Sequence, residues 1–298
     1  MNGCSLCPRA CGADRRHSSG VCGVPWKIKI GRACRHIWEE PPVSGTRGSG
    51  TIFFAGCPLK CAYCQNYALS RGEGREISVR QLADIFRLLE DSGAHNINLV
   101  TAAHYAYAVL EAAEIYRPSV PVVFNCGGYE SVETLELLKD LVDIWLPDYK
   151  YALRSPAEKY SRAPDYPETA LKALQYMRLL APKDIFDKDG VMQKGMIVRH
   201  LVLPGNLQNT FAVLENTAKY LGKDTYFSLM GQYYPAGRAK DFPELSRPLK
   251  PLEYKLAVAR AEKLGMENTF IQYSGKDEKS YTPVFDGTVT GGIYGAKC

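Results

Sequence analysis

No run of about 18 uncharged apolar residues, the least that a membrane-crossing helix needs, occurs anywhere in the 298 residues, so no membrane partner is expected. No secretory signal is expected either, since Cys4 and Cys7 stand where its hydrophobic stretch would lie; the expected location is cytoplasmic. Excess charge is small. The 37 Lys and Arg against 32 Asp and Glu leave a net charge of +5, without a basic run of the kind that tracks a phosphate backbone, so no nucleic-acid partner is expected. Internal repeats and low-complexity tracts are absent. With 46% hydrophobic and 23% charged residues, the composition excludes wholesale disorder.

Cysteine is the residue that is not scarce. A reducing cytosol argues against a disulfide framework for the ten cysteines, and Cys-x-x-Cys spacing favours metal. Seven fall into two tight groups: Cys4, Cys7, Cys11 and Cys22, then Cys57, Cys61 and Cys64. Cys34, Cys126 and Cys298 are isolated in sequence and read as small buried apolar groups.

Residues 1–48 are rich in Cys, Gly, Pro and Arg and show no sustained helical or strand period, so they read as a loop-rich extension that needs a metal staple. Residues 49–298 read as the main domain. From Thr51 onward, short apolar strands alternate with amphipathic helices, the pattern of βα units on a parallel sheet. The predicted strands are 51–55, 97–101, 121–125, 143–147, 195–203 and 225–230, with 268–272 as an added edge strand. The predicted helices are 79–92, 105–116, 132–141, 167–180, 209–221 and 252–264, several opened by a Ser, Asp or Asn cap. Six units are too few for a closed eight-stranded barrel, so a partial (β/α)6 barrel is expected, with a doubly wound sheet as the alternative. The Pro-rich stretch 235–251 reads as a long surface loop over the last helix and a candidate lid.

The chemistry lies in Gly56-Cys57-Pro58-Leu59-Lys60-Cys61-Ala62-Tyr63-Cys64-Gln65-Asn66, directly after the first predicted strand. Structural zinc prefers four closed ligands, whereas three cysteines spaced by four and three hold three irons of a cubane and leave the fourth iron open. A plain structural metal knot is the competing reading. The spacing Cys-x3-Cys-x2-Cys, with an aromatic residue before the last Cys, resembles the radical S-adenosylmethionine (SAM) superfamily. Across nearly the whole chain the resemblance is to homologues of pyruvate formate-lyase activating enzymes.

That resemblance implies a radical SAM oxidoreductase with a [4Fe-4S] cluster at Cys57, Cys61 and Cys64. SAM bound to the open iron is cleaved reductively to methionine and a 5'-deoxyadenosyl radical that abstracts hydrogen. It also implies a reducing partner such as flavodoxin or ferredoxin. Tyr63 is expected beside the adenine, and Asn66 orients a thiolate or SAM or else forms a turn. At the second strand end, Thr101-Ala102-Ala103-His104 replaces the family's Gly-Gly-Glu-like stretch; the carbonyls of Thr101 and Ala102 are candidate contacts for the SAM amino group. His104 either replaces the acid or caps the next helix.

Asn125, in Phe124-Asn125-Cys126-Gly127-Gly128, is similar in place to the Thr-Asn-Gly turn of activating enzymes. Asp148 and Lys150 resemble an Asp-x-Lys pair, and strand alternation puts both on one face, as site residues or as an internal ion pair. Arg199 and His200, ahead of Pro204-Gly205, match a segment that contacts the carboxylate or ribose of SAM. Adjacent residues of a regular strand face opposite sides, however, so one of these two is expected to be structural unless the strand is bulged. Polar and aromatic residues 228–235 are candidates on the substrate side.

Four N-terminal thiolates are enough to close a tetrahedral shell around zinc, or to hold a second [4Fe-4S] cluster, with His17 and Cys34 as substitutes. Three functions stay open at this point. One is activation of a glycyl-radical enzyme, as the resemblance implies. Another is direct radical SAM modification of a small molecule, peptide or other protein. The last is a non-enzymatic Fe-S protein.

Overall fold

The computed structural model describes residues 3–272 and 282–294; Cys298 lies outside them. The chain runs β1 (Ile28–His36), α1 (Pro41–Ser44), β2 (Ser49–Phe54), α2 (Tyr67–Ser70), β3 (Arg75–Ile77), α3 (Val79–Asp91) and β4 (Ile97–Val100). It continues through α4 (Ala106–Ile115), β5 (Val122–Cys126), α5 (Val132–Leu138), β6 (Ile144–Pro147), α6 (Arg154–Ser161) and α7 (Tyr166–Leu180). The last part holds β7 (Ile185–Phe186), β8 (Met192–Leu201), α8 (Leu207–Tyr220), β9 (Tyr226–Met230), α9 (Pro251–Lys263), β10 (Thr269–Gln272) and β11 (Val289–Tyr294).

The strands join in the order β10-β9-β8-β6-β5-β4-β2-β1-β11, with β3 added to β1 and β7 to β8. From β2 to β10 every neighbour is parallel. These strands are short and buried on both faces, which is why they read as continuous Val, Ile, Leu and Phe runs rather than alternating ones. The six predicted βα units and the edge strand are all present, on an α/β fold whose sheet is mostly parallel. One expectation is corrected. Residues 28–36, read as part of a loop-rich region, form β1, which pairs antiparallel with β2 and parallel with β11.

The sheet curls far enough for side chains of strands that are not direct neighbours to meet. Arg199 of β8 reaches Asn125 of β5, and Glu39, just after β1, joins Asn98 of β4 to Arg199. At the lower end, Val43 of α1 packs with Val123, Ile144, Leu146, Met192 and Ile197, so the short α1 plugs the bottom of the lumen with an apolar floor. Outside, helices cover the sheet, α3 through Leu82, Ile85, Phe86 and Leu89. The loop 235–251 packs at one end on the three-cysteine loop, where the Arg238 amide donates to the Ala62 carbonyl at 2.7 Å, and at the other on the start of α9, where Arg247 pairs with Glu253 at 2.7 Å.

A capping box opens α3: the Gln81 amide donates to Ser78 Oγ at 3.1 Å, and the Ser78 amide donates to Gln81 Oε1 at 2.8 Å. Replacing Ser78 with Ala removes the first of these bonds and is expected to lower stability by about 1 kcal/mol. Urea unfolding measures this, and an unchanged midpoint would show that the start of α3 is held by packing alone.

Candidate active site

Strand alternation sorts the site. Along β8, Ile197 and Arg199 face the lumen while Val198 and His200 face the outer helices. Along β5, Val123 and Asn125 point inward. The loop after β2 then crosses the upper end of the lumen with Cys57, Cys61 and Cys64. One cavity of about 260 Å³ is lined by these three thiols together with Tyr63, Asn66, Thr101, Asn125, Asp148, Lys150 and Arg199.

Arg199 is the centre of that cavity. Its Nε donates to Asp148 Oδ1 at 2.9 Å, its Nη1 to Glu39 Oε2 at 3.1 Å, and its Nη2 to Asn125 Oδ1. Lys150 donates to the other oxygen of Asp148. Burial opposes ionisation of Asp148, but Arg199 and Lys150 overcome it and hold the carboxyl below its ordinary range. Glu39 and Glu40 go the other way: burial raises both, and Arg199 offsets this only in part. Glu40 Oε2 has no hydrogen-bond partner and lies 3.9 Å from Arg199 Nη1.

The chemistry of the three thiols fits a cluster. Burial pushes Cys57 up to about 11 and Cys64 to about 12, so thiolates at these places need a positively charged partner such as iron. Main-chain hydrogen bonds from Leu59 and Lys60 to Cys57 and from Asn66 to Cys64 favour the thiolate form. The ammonium of Lys150 acts on Cys57 and Cys64 in the same sense. A cubane presents its irons at separate corners, so its ligands need not converge on one point. Among the described residues no three His, Cys, Asp or Glu side chains do so.

Residues 51–185 match the sequence profile of the radical SAM superfamily. That stretch begins in β2 and contains the three-cysteine loop. The radical SAM reading carries with it a [4Fe-4S] cluster and SAM as cofactors, and a radical SAM enzyme as the class of protein. Over 275 residues the chain is 27% identical to an uncharacterized protein of Methanocaldococcus jannaschii, covering 89% of this chain and 75% of that protein. Among solved structures it is similar to methylornithine synthase (PylB), with a TM-score of 0.50 and 13% identity over 95% of this chain and 76% of that one; the likeness is one of fold. HydG, a maturase of the [FeFe]-hydrogenase, aligns with a TM-score of 0.47 and 16% identity over 71% of this chain and 48% of that one.

Three contacts expected from the sequence lie away from the cavity. The Ala102 carbonyl accepts the Tyr105 amide at 2.8 Å, and the residue is buried outside the cavity. His104 turns away from the lumen: its Nε2 bonds the Ala55 carbonyl at 2.8 Å, its ring packs on Tyr105, and burial lowers its pKa to about 3. His200 faces outward, with Nδ1 on the Tyr149 carbonyl at 2.7 Å and Nε2 on Thr210 Oγ1 at 3.0 Å, which uses both ring nitrogens. The substitute ligands also stand apart, His17 being exposed beside Asp14 and Cys34 buried in β1.

Glu39, Glu40 and Glu130 were not singled out from the sequence. The first two precede Pro41-Pro42 in a segment without period, and no local signal marks them as lumen residues. Glu130 sits two residues beyond Gly128, a turn in which a Cβ would approach the Asp148 carbonyl oxygen to 2.2 Å, so glycine is required there. Tyr63 lines the cavity with its ring among Tyr151, Tyr160 and Tyr233.

No membrane-length apolar helix occurs among the described residues. Behind the cysteine loop a second cavity, of about 460 Å³, is lined by Arg9, Lys60, Arg71, Lys159, Arg162 and Arg238 and by no carboxylate.

Glu130 Oε2 lacks a hydrogen-bond partner, and burial raises its carboxyl to about 7 in spite of bonds from the Cys126 side chain and the Gly127 backbone. The folded chain therefore takes up a proton here before the unfolded chain does. The stability that results is fully present below the ordinary Glu range and is lost as pH rises through about 7. Glu130→Gln is expected to remove that slope, raising neutral-pH stability by up to about 3 kcal/mol relative to the native chain. Denaturant midpoints of the two chains across this window check it, and parallel pH profiles would refute the assignment.

Proposed function

We propose that this radical SAM enzyme acts directly on a substrate drawn into the lumen, one that carries a hydrogen-bond donor group, an amine above all. The observation that carries the reading is the group of buried carboxylates, Glu39, Glu40 and Asp148, around Arg199 in the same cavity as the three thiols. Glu40 Oε2 is short of a donor, and an amine supplies one. A glycine backbone entering the lumen brings only a neutral amide N–H, a weaker partner for a buried carboxylate than a protonated amine.

When bound, the cluster and SAM supply one-electron cleavage of the sulfonium and a 5'-deoxyadenosyl radical. The residues of the chain hold and screen. Cys57, Cys61 and Cys64 hold iron. Arg199, with its fork engaged by Asp148, Glu39 and Asn125, holds these side chains in place around the lumen, while Thr101 and Asn66 offer polar groups along the same wall and Tyr63 an aromatic face. Asp148 pairs with both Lys150 and Arg199 and so helps to hold two buried cations beside the thiols. The basic cavity behind the cysteine loop suits an acidic one-electron donor of the flavodoxin or ferredoxin kind, through complementary charge.

Activation of a glycyl-radical enzyme is the second reading, favoured by the Asp148-x-Lys150 and Arg199-x4-Pro204-Gly205 segments that resemble activating enzymes.

Anaerobic reconstitution with iron and sulfide, followed by dithionite and SAM, is expected to yield 5'-deoxyadenosine, and a chain with Cys57, Cys61 and Cys64 all changed to Ala is expected to yield none. Absence of product with an intact cluster would refute the enzyme reading. A glycyl radical signal raised in a candidate partner protein would replace direct modification with activation.

A further inference from the structure

The first 24 residues carry a second set of thiols that the SAM site does not use. Two main-chain bonds, from the Cys4 amide to the Ala13 carbonyl and from the Gly12 amide to the Cys4 carbonyl, both 3.1 Å, fold residues 4–13 back on themselves and bring Cys4 beside Cys11. A tight turn closed by the Ala10 amide on the Cys7 carbonyl at 2.9 Å presents Cys7. Cys22 returns to the same place: a methyl group placed on Gly20 would lie 3.4 Å from Cys22 Sγ and 3.5 Å from Cys11 Sγ. Cys7 lies near Cys4 and Cys22, and Cys22 near Cys4 and Cys11. The main chain at Arg9, at Ala13 and at Val24 hydrogen-bonds Cys7, Cys11 and Cys22. Each is two residues after its cysteine, the same offset as Leu59 and Asn66 from Cys57 and Cys64 in the SAM-cluster loop.

Pieces of this group are fastened to the SAM-cluster loop itself. The Cys57 amide donates to the Cys22 carbonyl at 3.0 Å. Arg9, between Cys7 and Cys11, donates through Nε to the Pro58 carbonyl at 3.2 Å and through Nη2 to the Ser161 carbonyl at 3.1 Å, and Ser161 Oγ in turn donates to Cys61 Sγ at 3.0 Å. Gly56 leaves no room for a side chain between the loop and Val24, whose Cγ2 would lie 2.7 Å from a Cβ.

We propose that Cys4, Cys7, Cys11 and Cys22 form a closed four-thiolate metal site, distinct from the SAM cluster, whose folding positions the Cys57 loop through the Cys22 carbonyl and Arg9. Among the described residues no three such side chains converge on one point, as a single zinc ion requires, whereas a closed [4Fe-4S] cluster takes one thiolate at each corner, so the site is assigned a cluster. The cluster stabilises a segment with little apolar core of its own, because ligand binding to the folded form adds directly to folding free energy. The Arg9 and Cys22 contacts then transmit that order to the ligand loop. Arg9 is a positioning residue and touches no thiol of the SAM cluster.

The full-length chain with Cys57, Cys61 and Cys64 changed to Ala isolates this site. Elemental analysis of that protein is expected to find about four irons with cubane absorbance per chain. Zinc in place of iron would overturn the cluster assignment, and neither metal above trace would overturn the site itself. Further change of Cys7 and Cys22 to Ser is expected to abolish the binding. Retention of the metal by this five-site variant would place it elsewhere and overturn the ligand assignment. The positioning role is read in the otherwise native chain. Arg9→Ala is expected to keep the N-terminal metal and the iron of the SAM cluster but to diminish the change in the electron paramagnetic resonance spectrum that SAM induces, with Arg9→Lys intermediate. An unchanged spectral response in Arg9→Ala would refute the link between the two sites. Because these readouts are metal content and spectrum, they stand or fall separately from the substrate reading.

Discussion

The buried guanidinium of Arg199 is the constraint around which the lumen is arranged. An unpaired ion at this depth costs several kcal/mol, and that cost is offset only where geometry supplies close partners. Arg199 finds Asp148 at the end of β6, Asn125 at the end of β5 and Glu39 beyond the end of β1. These partners come from segments far apart in the chain, so the ion is satisfied only when the parallel sheet has curled and the segment after β1 has entered from below. Hydrophobic burial drives the strands together, but it does not distinguish one curvature from another so sharply. The same hub leaves a polar interior beneath the cysteine loop, where a barrel interior is otherwise filled with apolar side chains. An apolar floor is retained lower down, at Val43, Val123, Ile144 and Ile197.

The repeating strands and helices were legible because each depends mainly on nearby residues. Val122 to Phe124 reads as a strand from its own composition, and Ser78 with Gln81 announces the start of α3. β1 was not legible for the opposite reason. Its sequence, Ile-Lys-Ile-Gly-Arg-Ala-Cys-Arg-His, is interrupted by charges and a glycine, and its partners include β11, more than 250 residues away. Arg32 donates to the carbonyl of Val284 and Arg35 to that of Gly291, so charges that read as loop are partners of the C-terminal segment. Pairing of this kind leaves no periodic trace in either segment alone.

Within the site, alternation carried further than motif similarity. The adjacent Arg199 and His200 face opposite ways as a regular strand requires, and the pattern that puts Arg199 in the lumen puts His200 against α8. Asp148 and Lys150, two apart, both line the cavity. Rules of this sort fail once the chain leaves the strand. His104 lies three residues past Thr101, in a single 3-10 turn that points its ring back toward Ala55. Glu39 and Glu40 sit in a non-repeating link, and their role is visible only when Asn98, Asn125 and Arg199 have been assembled around them.

Thr101 carries the argument from backbone to chemistry one step further. Its φ of 61° is in the left-handed region, which is unfavourable for a β-branched residue by roughly 1–3 kcal/mol. Glycine would relax the strain, and glycine is what the resembling family has near this point. The conformation is fixed because β4 ends here and the Thr101 amide must still donate to the Asn125 carbonyl, 2.8 Å away on the neighbouring strand. That bond ties the backbone at Thr101 to the residue whose side chain holds Arg199. A threonine at this position therefore keeps a side chain with a hydroxyl on the cavity wall at the expense of local strain, and it does so next to the hub that orders the lumen. The strain and the buried charge are in this sense one arrangement, since relaxing the turn would loosen Asn125 and with it the Arg199 network.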